Sequence, residues 1–187
     1  MSLRPRLVSA RELAGMPDAE RYELVLGHLV PMAPASTTHG RLGSNLTRIL
    51  MNYVYDNNLG ECYIAETGFD LSRPGDQGET VLATDLAFIR AGRVPADDDD
   101  DTYTRTAPDF VLEIASGSQS RRVMADKVRL WLSRGVRLCW VQWPRSRTID
   151  VWHPGDDEPQ TLRIDEDLLD GEDVLPGLRV RVEAAFR

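Results

Sequence analysis

Three side chains in this sequence stand where their neighbours offer them no obvious support: Asp85, Glu113 and Lys127. Glu113 interrupts the apolar run Phe110, Val111, Leu112, Ile114, Ala115, whose bounded length and lack of polar alternation predict a strand covered on both faces. Asp85 interrupts a second apolar run, from Val81 to Ile89, in the same way. Lys127 is the only lysine among 22 cationic residues. A coding preference for arginine accounts for its scarcity but not for its placement. On a helix its neighbours at i−4, i−3, i+3 and i+4 are Val123, Met124, Leu130 and Trp131, all apolar. An ammonium in such a stripe must snorkel to water or meet a buried anion, and Glu113 is the candidate anion.

The chemistry open to this set is that of a hard divalent cation. Two carboxylates from adjacent strands can hold Mg2+ or Mn2+, with the Ile114 carbonyl as a third ligand and waters completing the octahedron. Such an ion lowers the pKa of water and neutralises charge on a phosphoryl group, while a neighbouring ammonium orients the water or steadies the transition state. Asp109 lies on the same strand face as Glu113. Four residues at about 3.3 Å each separate their backbones by roughly 13 Å, too far for both to grip one ion, so Asp85 is the better partner. The bland alternative is that Glu113 and Lys127 are only a buried pair.

The elements that must position these residues can be read in order. Ser9 to Gly15 carries a capping box (Ser9, Glu12) and predicts a short helix. Residues 21–32 read as two short strands turning at Gly27-His28, with Glu23 on the face opposite Tyr22, Leu24 and Leu26; a solvated Glu23 is as good a reading as a functional one. From about His39 to Asn57, Leu42, Leu46, Ile49, Leu50, Tyr53 and Val54 recur at helical spacing, the longest helix of the chain. His39 falls in its first turn, where it faces either solvent or a site. Strand-like segments follow at 61–65, 68–72 and 81–90. The order strand, helix, strand over 109–143 predicts a right-handed crossover between parallel strands. Hairpin-like turns and a short final helix close the chain.

The length of 187 residues fits one domain, 1–187, able to bury roughly two thirds of its unfolded surface. No apolar run approaches the length of a membrane span and no signal-type segment follows the N-terminus, so the default address is cytoplasmic. Cys62 and Cys139 lack partners at metal-ligand spacing and read as buried structural thiols. A net charge of −8 argues against a broadly basic nucleic-acid surface. It leaves room for a local one, because a bound divalent ion reverses the sign of a carboxylate cluster. Asp97 to Asp101 is most simply a solvated loop. Arg121 and Arg122 at the start of the helix after Glu113, with Arg145 and Arg147 in a turn, are candidate phosphate contacts. Trp140, Trp143 and Trp152 could cover a sheet edge or an interface.

Taken together, Tyr22-Glu-Leu-Val-Leu-Gly, His39, Thr84-Asp-Leu-Ala-Phe-Ile, Ala107-Pro-Asp-Phe-Val-Leu-Glu-Ile-Ala-Ser, Asp126-Lys127, Arg134-Gly-Val-Arg-Leu-Cys-Trp-Val and Leu175-Pro-Gly-Leu resemble the Uma family of restriction-endonuclease-like proteins, within the PD-(D/E)XK nuclease superfamily. The resemblance runs from about residue 8 to 186. It implies an α/β fold with a restriction-endonuclease-like core, a mixed central β-sheet flanked by helices and an additional β-hairpin region. It further implies a divalent metal, DNA as substrate and a homodimer. It maps the superfamily's Asp to Asp85 and its Glu to Glu113, and places the lysine on the following helix as Lys127 instead of at Ala115. By the same resemblance Glu23 is an extra acid near the metal; His39 is, with Arg121 and Arg122, a candidate substrate contact. Thr84 replaces the usual Pro, and Ser116-Gly-Ser-Gln119 replaces a Ser-Pro-Ser-Asp loop.

Two functions follow as expectations. The first is a Mg2+- or Mn2+-dependent endonuclease that hydrolyses phosphodiester bonds of DNA. The second is an inactive nuclease-fold protein that binds nucleic acid or a protein partner.

Overall fold

The computed structural model describes residues 6–32, 34–65, 67–96, 103–117, 119–165 and 167–187. The aspartate run Asp97 to Asp101 lies outside them. In chain order the elements are α1 (Ala10–Ala14), β1 (Tyr22–Val25), β2 (His28–Pro31), α2 (Thr37–Asp56), β3 (Gly60–Ile64), β4 (Gly68–Asp70), β5 (Val81–Ala83), β6 (Leu86–Arg90), β7 (Phe110–Ile114), α3 (Arg121–Ser133), β8 (Leu138–Trp143), β9 (Thr148–Trp152), β10 (Gln160–Arg163), β11 (Leu168–Asp170) and β12 (Arg179–Arg181). The predicted final helix is a 3-10 helix, Val182–Phe186. Among the described residues no helix is long and apolar enough to cross a membrane.

The chain forms two compact units. The first comprises Met1–Pro34, Glu66–Ala83 and Pro95–Ala107. Its antiparallel sheet has the order β2-β1-β5-β4. Ser9 caps α1 in the expected capping box. The β1–β2 turn places Leu26 at φ 49° and Gly27 at φ 80°, the two positive values a tight hairpin turn demands. Ala10, Leu13, Leu24 and Val81 form its core. Glu23 is buried, and its carboxylate accepts a hydrogen bond from the Ala83 N–H at 3.0 Å. The solvated reading of Glu23 is therefore wrong: a non-local strand partner, invisible to local periodicity, covers it.

The second unit comprises Ala35–Ala65, Thr84–Val94 and Pro108–Arg187. Its six-stranded mixed sheet runs β10-β9-β8-β7-β6-β3. β7 and β8 are parallel, joined by α3 as the strand, helix, strand pattern predicts, and the other pairs are antiparallel. Because strand residues alternate faces, one face presents Leu86, Leu112, Trp140 and Val151 to Leu42, Leu46, Leu50 and Val54 of α2. Phe110 and Trp140 meet edge to face there, centroids 5.0 Å apart. The opposite face carries Glu113 toward α3, whose Met124, Val128, Trp131 and Leu132 are buried.

Several expectations need correction. The apolar run 81–90 is two strands in two sheets, because the chain breaks pairing at Thr84 and Asp85. Val123 is 57 % exposed, so the stripe around Lys127 is open on one side. Trp140 and Trp152 are buried within their own unit, and Trp143 is half-buried. Cys139 is fully buried and Cys62 half-buried; burial holds the Cys139 thiol well above its usual pKa and pushes Cys62 up to about 12, as inert structural thiols require.

Candidate active site

The register of β6 against β7 ends at Leu86 opposite Leu112, with Asp85 the residue just before β6 and Glu113 the next residue along β7. The ladder stops at that step and side chains replace it. Thr84 Oγ1 donates to the Leu112 carbonyl at 2.6 Å, and Asp85 Oδ2 accepts from the Ile114 N–H at 2.7 Å. These bonds satisfy backbone groups that the broken strand leaves open. A proline at 84 could not make the first of them. The departure from the family pattern thus has a structural role that sequence reasoning missed.

Glu113 is buried at 4 % exposure, and its carboxylate is enclosed by donors from α3. Lys127 Nζ lies 3.0 Å from each of its oxygens, and Trp131 Nε1 donates to Oε1 at 2.9 Å. Lys127 and Trp131 sit one helical turn apart, so a single helix face delivers both. Ser120 starts that helix by accepting the Val123 N–H at 3.3 Å. The indole donor was legible in principle, since a buried tryptophan one turn from a charged residue needs a partner for its N–H.

The other carboxylate faces α2. Ser36 caps this helix by accepting the His39 N–H at 3.2 Å, and His39 Nε2 lies 3.3 Å from Asp85 Oδ1. Hydrogen bonding to Asp85 raises the His39 pKa above 6.5. Burial opposes the rise, while the charge of Asp85, hydrogen bonding to the Ile114 backbone and the charge of Glu113 add to it. Two groups thus flank the end of β7 within one unit, His39 with Asp85 and the Ile114 backbone, and Lys127 with Glu113.

Glu23 belongs to the first unit. Asp109 is buried, accepts from the Arg90 N–H at 3.0 Å and pairs with Arg93 at 2.8 Å, so it is engaged at the opposite end of β7. Arg121 pairs with Asp150 at 2.6 Å, and Arg122 is exposed.

Among the described residues no group of three or more His, Cys, Asp and Glu side chains is arranged to hold a metal ion. The oxygen donors present are two carboxylates and a backbone carbonyl. This set fits Mg2+ or Mn2+, which favour carboxylate and carbonyl oxygen and retain several waters. The fit also rests on charge: Asp85 Oδ1 and the Ile114 backbone both engage His39, the contact a cation donor would make.

A broken strand edge bearing one acid, a buried acid on the adjacent central strand and a lysine from the crossover helix define a restriction-endonuclease-like α/β protein. A solved structure of similar fold, a putative nuclease belonging to DUF820 from Anabaena variabilis, superimposes with a TM-score of 0.78 at 17 % identity, covering 96 % of this chain and 97 % of that one. The model of the Uma2 family, described as putative restriction endonuclease, matches residues 9–183, and the chain belongs to this family. No curated protein matches it.

Proposed function

We propose that the protein is a metal-dependent endonuclease acting on DNA, with Asp85, Glu113 and the Ile114 carbonyl holding the ion. The observation that carries this reading is the single lysine of the chain resting on Glu113, while Asp85 accepts from the N–H of the next residue, Ile114. Mg2+ or Mn2+ bound there would supply Lewis-acid activation of water and neutralise charge on the phosphoryl group. Lys127 orients the attacking water through an ammonium donor, and stabilises negative charge as the water oxygen bonds to phosphorus and one ester P–O bond breaks. Glu113 holds the ammonium in place. Ile114 N–H fixes Asp85 so that Oδ1 remains turned toward the site. His39, paired with Asp85, is the candidate donor for a substrate phosphate. Glu23 enters only through the family pattern, as an accessory acid. An address in the cytoplasm and a homodimer belong to the same proposal.

Plasmid DNA incubated with the pure protein and Mg2+ or Mn2+ should be nicked, and Asp85→Ala or Glu113→Ala should abolish nicking. Equal cutting by either variant would contradict the assignment. A second reading is favoured by one feature: both carboxylates already have cationic partners within the chain. A nuclease-fold protein that binds nucleic acid or a protein without cutting would show no calorimetric uptake of divalent ions and would still retard DNA in a gel.

A further inference from the structure

The second unit holds a cleft of about 490 Å3 between α3 and strands β8 to β10, lined in part by Arg121, Arg122, Arg129, Trp143, Asp150 and Trp152. Its floor is a built polar cluster. Asp150 is 3 % exposed and receives three hydrogen bonds: from Arg121 Nη1 at 2.6 Å, Trp143 Nε1 at 2.7 Å and Thr161 Oγ1 at 2.7 Å. Those contacts hold the Arg121 guanidinium 4.5 Å over the Trp143 ring, and Arg129 lies 5.3 Å over Trp152. Two arginines are thus held in place before any ligand arrives. Much of the entropic cost of ordering them on binding is already met by the fold.

The charge of this cleft runs against the rest of the chain. Three guanidiniums face two acids, Asp150 and Glu158; Arg121 engages Asp150, and Arg129 also pairs with Asp126 at 3.5 Å and donates to the Asp157 carbonyl at 2.7 Å, within a protein of net charge −8. Its position is equally specific. Glu113 pairs with Val141 and Val141 with Asp150, so the candidate active-site acid and the floor of the cleft share one row on one sheet face. Two strand spacings separate them, roughly 10 Å, or about three nucleotide steps at the rise of a stacked strand.

We propose that this cleft binds the backbone of a single nucleic-acid strand, gripping phosphates a few nucleotides from the bond presented to Glu113. The inference rests on the nuclease reading for its ligand. Arg122 and Arg129 provide exposed cationic contacts, while Arg121 supplies a fixed guanidinium suited to bidentate phosphate recognition. The cleft volume suits one or two nucleotides and not the width of a duplex.

Anisotropy of a labelled short single-stranded DNA, titrated in EDTA over a series of salt concentrations, tests this. Arg122→Gln and Arg129→Gln, both outside the buried cluster, should each weaken binding about 5- to 10-fold and flatten the logarithmic salt slope by about 0.7. Arg48→Gln, which replaces an exposed arginine on α2, should bind as the unaltered protein does. Unchanged affinity and slope in both the Arg122 and Arg129 variants, or no binding by the unaltered protein, would overturn the proposal. So would polyglutamate competing as well as DNA. If the variants bind as unaltered protein while nicking persists, the cleft assignment alone fails; arginine-dependent binding without nicking leaves the cleft standing and removes the nuclease reading.

Discussion

Lys127 and Glu113 form a pair in which one ammonium lies 3.0 Å from both oxygens of a carboxylate that is 4 % exposed. The lysine side chain is itself 19 % exposed, so solvent reaches one side of the pair. Lys127→Met would leave Glu113 buried with the Trp131 indole as its principal remaining donor. Breaking a fully buried pair costs about 3–5 kcal/mol, and partial solvent access lowers the expected loss to about 1–3 kcal/mol. Urea unfolding at neutral pH should show this loss, and Glu113→Gln combined with Lys127→Met should recover part of it. A single variant more stable than the parent would mean that Glu113 does not depend on the lysine.

Gly43 is where α2 passes over the Ile114 side chain of β7. A Cβ there would lie 2.9 Å from Ile114 Cδ1, and Gly43 is one turn beyond His39 on the same helix. Gly43→Leu should therefore push the helix outward, destabilise by about 1–3 kcal/mol and loosen the His39 contact with Asp85. An NMR titration of the His39 ring should then show its pKa falling toward 6.5. An unchanged value would show that the helix position is not what holds the pair.

His153 joins two loops, with Nδ1 3.2 Å from Asp156 and Nε2 2.9 Å from Glu172. Burial alone would lower its pKa; the hydrogen bond and charge of Glu172, with those of Asp156, outweigh it and raise the pKa above 6.5. A raised folded pKa contributes stability that is fully present below about 6.5 and is lost as pH rises through the folded value. The gap in urea midpoint between the parent and Glu172→Gln should shrink as pH climbs through that window. It should also be small, since the pair is partly exposed. A gap that widens with pH would contradict the assignment.

The local signals in the sequence carried the long elements. Leu42, Leu46, Leu50 and Val54 marked α2, and the run from Phe110 to Ile114 followed by a helix marked the parallel β7–β8 pair. The pairing of Lys127 with Glu113 was legible because both residues were out of place. What local pattern could not carry was strand partnership across long separations. Thr84 and Asp85 look like strand residues, yet the chain leaves one sheet and enters another there. Glu23 reads as a surface residue until Ala83 N–H covers it. Trp152 reads as a cover for a sheet edge or an interface, yet it is buried within its own unit with Arg129 over its ring. Each of these errors concerns a neighbour supplied by tertiary pairing.

The central claim is that Asp85, Glu113 and the Ile114 carbonyl form one divalent-ion site beside Lys127. A crystal grown with Mn2+ and measured for anomalous scattering tests it directly. The account predicts a peak about 2.1 Å from one oxygen of each acid and from the Ile114 carbonyl, with Lys127 Nζ still beside Glu113. Density for the ion elsewhere, or none near these oxygens at saturating Mn2+, would contradict it.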